Sequence, residues 1–355
     1  MAGPTVARRR RATVHVVLPN DIDDPATPSG GNTYDRRLCR GLSAAGWAVR
    51  EHAVTGDWPH PDATARAGLA RLLAALPDGA VVLLDGLVAS SAPQALTPQG
   101  RRLRLVVVVH LPLEHDAEGA ALRAAVAVVT TSEWTRRRLL DRYALPADRV
   151  HVVPPGVDPA PPAPGTPVGG NLLCVAAVAP HKGHDVLVEA LVAVADLPWD
   201  CVCVGALTRD PGFVARLRRQ VVGHGLADRV RLVGPRTGAA LDAAYAAADL
   251  LVLASRRETY GMVVTEALAR GIPVLGTAAG GLPEALGRAP DGVPPGLLVP
   301  PDDPAALAGA LRRWLGEPRL RQRLRRAARD RRDTLDGWPV AATVAGAVLE
   351  GVTTA

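Results

Sequence analysis

Lysine is almost missing from this chain. Of 41 basic residues only one, Lys182, is a lysine, and the rest are arginine. Such a bias points to GC-rich coding, so a lysine that survives it, followed by Gly183, reads as functional. Aromatic residues are also scarce, at 3%, with Phe213 the single phenylalanine. A formal charge of +6 would otherwise invite nucleic acid. Nucleic-acid surfaces interleave basic and stacking residues, and without the latter no nucleic-acid partner is expected. The basic balance suits anionic ligands or an anionic membrane surface instead. No apolar run reaches the ~18 residues of a membrane span. The start, MAGPTVARRRR, is basic like a signal-peptide n-region, but the apolar stretch 13–18 is too short to follow it and Pro19-Asn20-Asp21 ends it, so a cytoplasmic protein is expected. The four cysteines, Cys39, Cys174, Cys201 and Cys203, are scattered. Cys201-Val-Cys203 puts two thiols on one strand face, not at the usual metal spacing, and reads as buried reduced thiols. No G-x-G-x-x-G marks a dinucleotide site.

What is present is a repeated strand–helix alternation over 355 residues, a length that suggests two domains, with 48% hydrophobic content to fill their cores. The stretch 245–284, YAAADLLVLASRRETYGMVVTEALARGIPVLGTAAGGLPE, organises the rest. Leu250 to Ala254 predicts a buried parallel strand. A loop with Glu258, Thr259, Tyr260 and Gly261 follows. A helix over 262–270 then stops at Gly271. A second buried strand begins at Pro273, before the Gly280-Gly281 turn. Ligands of open α/β sheets bind at such C-terminal strand edges. Glu258 and Glu266 lie eight positions apart, one in the loop and one in the helix. The helix's first N–H groups, near Met262 and Val263, suit an anionic group such as a diphosphate. Taken alone, two glutamates are most simply solvated charges. Glu266, however, sits in VVTEALA, where an unpaired buried carboxylate would be costly.

This segment resembles the C-terminal signature of the retaining glycosyltransferases of family 4: E-x7-E with an aromatic-Gly pair after the first Glu, then EALA.G.PV and GG.PE. The matching residues are Glu258, Tyr260-Gly261, Glu266-Ala267-Leu268-Ala269, Gly271, Pro273-Val274, Gly280-Gly281 and Pro283-Glu284. The resemblance runs through nearly the whole chain and is strongest over 130–311. It implies the GT-B fold, an α/β architecture of two Rossmann-like doubly wound domains facing a central cleft.

Earlier in the chain a strand over 13–18 leads through a polar loop to Gly30-Gly31-Asn32, which opens a helix carrying Tyr34, Leu38 and Leu42 on one face. A Gly-rich helix start after a strand is a phosphate-approach arrangement, weak by itself. The resemblance places Gly30 and Gly31 against the donor diphosphate and the acceptor. Asp85, at the end of a strand over 80–84, is a turn aspartate or an acceptor contact. A fully apolar strand over 103–109 ends at His110, and HLPLEHD offers His115 as a competitor. The resemblance assigns the strand-end histidine, His110, to the donor sugar's hydroxyls. Thr130 and Glu133 have capping-box spacing at the start of TSEWTRRRLL. Its run Arg136-Arg137-Arg138 reads as a solvated face, with membrane contact as the minority reading. PPGVD at 154–158 resembles the family's PNGVD turn, and the Pro/Gly-rich 159–170 reads as a linker.

In the second half Lys182-Gly183 follows a strand over 172–178 and opens a helix, a position for phosphate. The family pattern here is G-R-L-x-x-x-x-K-G, whereas this chain has Ala176-Ala177-Val178. Ala177 thus stands where the phosphate-binding arginine is usual, and Arg209 or a helix N-terminus is expected to take over part of the grip. The expected organisation is an acceptor domain over 1–158, the linker 159–170, a donor domain over 171–335, and a C-terminal helix over 336–355 crossing back to the first domain, with Trp338 as its anchor.

The resemblance implies a retaining, metal-independent glycosyltransferase that takes a nucleotide-diphosphate sugar, UDP- or GDP-linked, as co-substrate, with no further cofactor. Glu266 would hold the ribose, Glu258 the donor-sugar hydroxyls, and Thr259 to Val263 would supply backbone groups. His110 and Glu258 are the candidate catalytic pair; Asn32 and Asp85 are acceptor-side candidates. No Asp-x-Asp pair stands at a strand end to hold a metal. Sugar, lipid-linked, peptidic or small-metabolite acceptors all fit, with peripheral contact at the inner membrane face for a lipid-linked one. Two rivals stand beside this reading: a nucleotide-sugar epimerase, which needs additional acid/base carboxylates, and a non-catalytic partner subunit, motivated by Ala177.

Overall fold

The computed structural model describes residues 12–354. The basic start that prompted the signal-peptide comparison lies outside the described residues. The chain forms two compact units. Of the described residues, the first comprises 12–23, Gly31–Gly156 and 338–354; the second comprises Val157–Gly337 with the short segment Asp24–Gly30.

The first unit is built from β1 (Thr13–Pro19), α1 (Gly30–Ala44), β2 (Ala48–Val54), α2 (Ala63–Ala75), β3 (Val81–Asp85), α3 (Gly86–Ser90), α4 (Pro93–Leu96), β4 (Arg104–Val109), α5 (Asp116–Ala124), β5 (Ala127–Thr130), α6 (Glu133–Tyr143) and β6 (Val150–Val152). Its six strands are parallel in the order β2-β1-β3-β4-β5-β6. β3 is buried along its whole length and β4 beyond its first residue. Strands covered on both faces read as unbroken apolar runs, VVLLD and RLVVVV, rather than alternating ones. Edge strand β2 carries Arg50, Glu51 and His52 and is mostly exposed, which blunts it against pairing with another chain.

The second unit contains β7 (Asn171–Val175), α7 (His184–Val192), β8 (Asp200–Val204), α8 (Pro211–Gly223), β9 (Val230–Gly234), α9 (Gly238–Ala246), β10 (Leu250–Leu253), α10 (Met262–Leu268), β11 (Val274–Thr277), α11 (Leu282–Leu286), β12 (Gly296–Val299), α12 (Pro304–Gly316) and α13 (Pro318–Arg332). Its sheet is again six parallel strands, ordered β12-β11-β10-β7-β8-β9. A final helix, α14 (Trp338–Thr354), belongs to the first unit, where it lies against β3, β4 and β5 and sets the Trp338 ring edge-on to Tyr34 at 5.8 Å.

In each sheet the chain reverses direction once. The reversal falls between β1 and β3 in the first unit and between β7 and β10 in the second. The loops leaving those strands diverge there and open a crevice at the C-terminal edge. Asp85 ends β3, Lys182 follows β7 and Glu258 follows β10, at these edges.

The Pro/Gly-rich stretch after Val157 contains no helix or strand, yet it is no free tether. The Ala163 amide donates to the Arg270 carbonyl at 2.8 Å, and Arg332 donates to the Ala160 carbonyl at 2.9 Å. Asp249, buried, collects the Thr166 hydroxyl at 2.6 Å, the Asn171 amide at 3.0 Å and the Arg325 guanidinium at 2.8 Å. Stripping one partner from a buried ion pair leaves the other charge uncompensated. Asp249→Ala should therefore destabilise the second unit by about 3 kcal/mol, read as a lowered urea midpoint at unchanged m-value; a loss below about 0.5 kcal/mol would show the pair to be merely decorative.

Two local expectations need correction. The cap of α6 is Ser132, whose hydroxyl accepts from the Thr135 amide at 3.0 Å; Thr130 is the last residue of β5 and its hydroxyl donates to the Ser132 carbonyl. Arg136 is not simply solvated, since it donates to the Val150 and Ala147 carbonyls, and Arg138 forms two bonds of 2.9 Å to Glu114. After β3 the chain is helical again, because Asp85 caps α3 and Pro93 starts α4. All four cysteines are free and buried. Among the described residues no helix is long and apolar enough to cross a membrane.

Candidate functional site

The second unit holds the E-x7-E pair at its reversal point. β7 ends in a short 3-10 turn, Pro180–Lys182, and Gly183 then takes a left-handed φ of +66° to launch α7. Its conformation and space both demand glycine, since a Cβ there would fall 1.9 Å from the Ala254 carbonyl oxygen at the end of β10. This close approach brings Lys182 to the loop after β10, where its ammonium donates to Glu258 Oε2 at 2.7 Å. The Glu258 side chain is 10% exposed and that of Lys182 21%. Arg256 ties the same turn down, with bonds to both Asp185 oxygens at 2.8 Å and to the Pro180 carbonyl. His181 feels Lys182, Glu258 and Arg257 and has its pKa lowered, first by burial and then by the Lys182 charge.

Glu258 is also fixed through its backbone. The Gly281 amide donates to its carbonyl at 2.9 Å, and a Cβ on Gly280, where φ is +58°, would fall 1.8 Å from that same oxygen. Gly261, at φ +96°, begins α10, so Met262 and Val263 are its first residues, whose N–H groups have no partner within the helix. Thr259 and Tyr260 are half-buried in the approach, and burial pushes the Tyr260 phenol up to about 12. Glu266 takes a 2.7 Å hydrogen bond from the buried Tyr245 hydroxyl, and its carboxyl is raised above the usual range, by burial first, against that hydrogen bond and the Arg270 charge. Ala177 is half-buried and brings no charge to the loop after β7. Arg209 is exposed between β8 and α8 and makes no hydrogen bond or ion pair among the described residues.

The first unit gathers a second group beside its own reversal point, around the end of the neighbouring strand β4. His110, directly after β4, places Nε2 2.7 Å from Asp35 Oδ1 and 3.8 Å from Asp85 Oδ2. Asp85 uses its other oxygen to cap α3, accepting from the Leu87 amide at 2.8 Å and the Val88 amide at 3.1 Å. It therefore serves both as the turn aspartate and as a neighbour of His110. Asp35 is 4% exposed, and its Oδ2 is buried with no hydrogen-bond partner among the described residues. Burial, then the Asp35 charge, raises the Asp85 carboxyl to about 7. Burial alone would lower the pKa of His110, but the Asp35 charge and hydrogen bond with the Asp85 charge outweigh it, and the net direction is upward. The competitor, His115, is a helix cap whose Nδ1 accepts from the Glu118 amide. Gly31 lies against the His110 ring, 3.2 Å from Cδ2 to where its Cβ would be. Gly30 begins α1, and Asn32 is half-buried in its first turn.

Asp35, Tyr245 and Arg256 were given no role by sequence. Asp35 had a readable signal: with Tyr34, Leu38, Cys39 and Leu42 it forms the buried stripe of α1, so a carboxylate stands where the helical period demands an apolar residue.

Comparison with known proteins bears on both units. Residues 169–331 match the family described as Glycosyl transferases group 1, and residues 28–161 match Glycosyltransferase Family 4. A D-inositol 3-phosphate glycosyltransferase of Jonesia denitrificans is 33% identical over 232 residues, 60% of this chain and 54% of that protein. The protein of the same name from Kineococcus radiotolerans is 36% identical over 239 residues, with the same coverage. The chain thus spans about half the length of the curated relatives it matches, at 54%. Among solved structures, sucrose-phosphate synthase from Thermosynechococcus elongatus superposes with a TM-score of 0.76 at 24% identity over 97% of this chain and 100% of the other. Anabaena HepE in complex with UDP and glucose gives 0.74 at 18% identity, over 95% and 99%. At these identities the structural likeness speaks for the fold.

Proposed function

Since the chain belongs to the family 4, group 1 glycosyltransferases and has their GT-B fold, we propose that it is a retaining glycosyltransferase that moves a sugar from a nucleotide-diphosphate donor to an acceptor hydroxyl without a metal ion. The observation that carries this is the Lys182–Glu258 pair, closed at 2.7 Å at the β7/β10 reversal, beside the start of α10 and one helical segment from Glu266.

In this reading Lys182 exchanges Glu258 for the donor diphosphate, aided by the first N–H groups of α10. The freed Glu258 carboxylate accepts from donor-sugar hydroxyls. Glu266, oriented by Tyr245, accepts from the ribose, and residues 259–263 line the approach. Arg209 supplements the charge that Ala177 does not supply. His110 meets the donor sugar, Gly30 and Gly31 pass close to phosphate and acceptor, and Asn32 and Asp85 serve the acceptor. With no protein nucleophile assigned, the acceptor attacks on the face the nucleotide leaves: the new C–O bond forms as the anomeric C–O bond to phosphate breaks, and the departing phosphate takes the acceptor's proton. HepE was solved with UDP and glucose, and the curated relatives are named for D-inositol 3-phosphate; UDP-glucose and that cyclitol phosphate are the first donor and acceptor to try.

The test is a thermal-shift panel of UDP, GDP, ADP and TDP on the wild type and Lys182→Ala. A ligand at 100 times its dissociation constant adds about 2.7 kcal/mol. One nucleotide should stabilise the wild type by that order and the variant far less. No shift with any of the four would overturn the donor site and favour a non-catalytic partner subunit, the reading Ala177 motivates. A nucleotide-sugar epimerase needs extra acid/base carboxylates, for which the buried Asp35 and Asp85 would be the candidates. Product analysis separates it, because an epimerised nucleotide-sugar with no acceptor adduct would replace transfer.

A further inference from the structure

The cluster of Asp35, Asp85 and His110 is built more carefully than a sugar-contacting histidine requires. A histidine that only donates to a hydroxyl needs one orienting partner, and a backbone carbonyl would do. Here the partner is a carboxylate, 4% exposed, delivered by α1 from 75 residues away and carrying a second oxygen that nothing satisfies among the described residues. A second carboxylate, equally buried, stands 3.8 Å off the same ring nitrogen. Burying two ionised carboxylates costs several kcal/mol unless a cation compensates them; protonation relieves part of that cost at Asp85, whose carboxyl is raised to about 7, and of the three groups His110 is the one that can be a cation.

The geometry settles which ring nitrogen is spoken for. Nε2 donates to Asp35 Oδ1 at 2.7 Å. Cδ2 and Cγ face Gly31, where a Cβ would come to within 3.2 and 3.3 Å of them. Nδ1 makes no hydrogen bond among the described residues. Beside the ring stand Asp35 and the neutral, buried Tyr34 from α1 and Asp85 from β3, with uncharged Trp338 of α14 behind Tyr34. Tyr34 itself is committed, its hydroxyl donating to the Val153 carbonyl at 3.0 Å.

We propose that Asp35 is a positioning residue for sugar transfer: by accepting the Nε2–H hydrogen bond it keeps the His110 ring cationic and leaves Nδ1–H as the donor offered to the substrate, with Asp85 as the second carboxyl beside the ring. The inference rests on the transferase reading and names a residue outside the family signature. Its consequence is a pH dependence with a definite sign. The active ring is protonated, so kcat/KM falls as pH rises through the His110 pKa. Removing the Asp35 charge lowers that pKa, so the alkaline limb moves to lower pH. On the falling limb a shift of one unit is a tenfold loss of kcat/KM at fixed pH.

The test follows His110 itself. NMR titration of the imidazole in nucleotide-free protein, with the resonance identified by its absence in His110→Gln, should give a wild-type ring that titrates above the ordinary histidine value and an Asp35→Asn ring at least one unit lower. The alkaline limb of kcat/KM should move by the same amount, while affinity for the free nucleoside diphosphate stays unchanged. A wild-type ring titrating below the ordinary value overturns the inference even if Asp35→Asn does not fold. An unmoved limb beside a moved ring overturns it too, as does activity lost to a chelator and restored by a divalent cation, which would put a metal where the proton stands. Failure of the wild type to transfer or hydrolyse any nucleotide-sugar would instead sink the transferase reading, and the ring titration would still decide the Asp35–His110 pair.

Discussion

Glu258→Gln should lower the rate of sugar transfer by about 10²–10³-fold while leaving nucleoside diphosphate affinity unchanged or higher. The expectation comes from the ion pair in the second unit. Lys182 is held at 2.7 Å by Glu258, so the ammonium proposed to grip phosphate is occupied by a carboxylate. Glutamine keeps the shape and removes the charge, so Lys182 loses its competitor and meets phosphate at no greater cost. In the proposed reading the sugar loses a charge-assisted acceptor, and contacts of this kind, preorganised in a site shielded from water, carry much of a transferase's rate. Steady-state kinetics and calorimetry on the same preparation separate the two effects. Intact kcat would remove Glu258 from the chemistry, and a fall in nucleotide affinity as large as that of Lys182→Ala would mean that the pair acts only as scaffold.

The largest structural effect is expected at Gly280. Alanine there would hold a left-handed backbone, φ +58°, and drive its methyl to 1.8 Å from the Glu258 carbonyl oxygen, closer than any relaxed contact. The backbone must open, and the Gly281–Glu258 hydrogen bond of 2.9 Å opens with it. A cost of about 3 kcal/mol or more is expected for Gly280→Ala. For a unit of this size that is a fall of roughly 6–12 °C in Tm. The substitution should also silence transfer at temperatures where the protein is still folded, because the displaced carbonyl belongs to Glu258. A melt within a degree or two of the wild type would show that the turn relaxes at little cost. Gly183 obeys the same logic from the other side of the reversal point, with its Cβ position 1.9 Å from Ala254.

These two glycines show what a sequence can and cannot reveal. The strands of both sheets were readable because strands buried on both faces leave unbroken apolar runs, and helix starts were readable from Lys182-Gly183 and Gly261. The GT-B fold follows from that alternation together with the signature over 258–284. Hidden from view was everything made by side chains distant in sequence. Arg256 and Asp185 are 71 positions apart, and Tyr245 and Glu266 are 21 apart. Neither pairing leaves a periodic trace. Asp35 hid for another reason. Next to Tyr34 it passes for the polar flank of an amphipathic helix, and only its register with Leu38, Cys39 and Leu42 shows it facing inward. Ser132 and Thr130 could each have capped α6; the choice depends on where β5 ends, which side-chain chemistry alone leaves open.

The attachment of α14 to the first unit has a temporal consequence. The strands of that unit, β1 to β6, emerge from a ribosome well before Trp338, yet α14 covers β3, β4 and β5 and supplies the ring that packs on Tyr34. Synthesis adds about 5–20 residues per second, so the first sheet waits on the order of ten seconds or more for its last layer. Throughout that interval Val157–Gly337 is already available to fold. The unit that is started first is therefore finished last, and its apolar sheet face is a natural place for a chaperone to bind during translation.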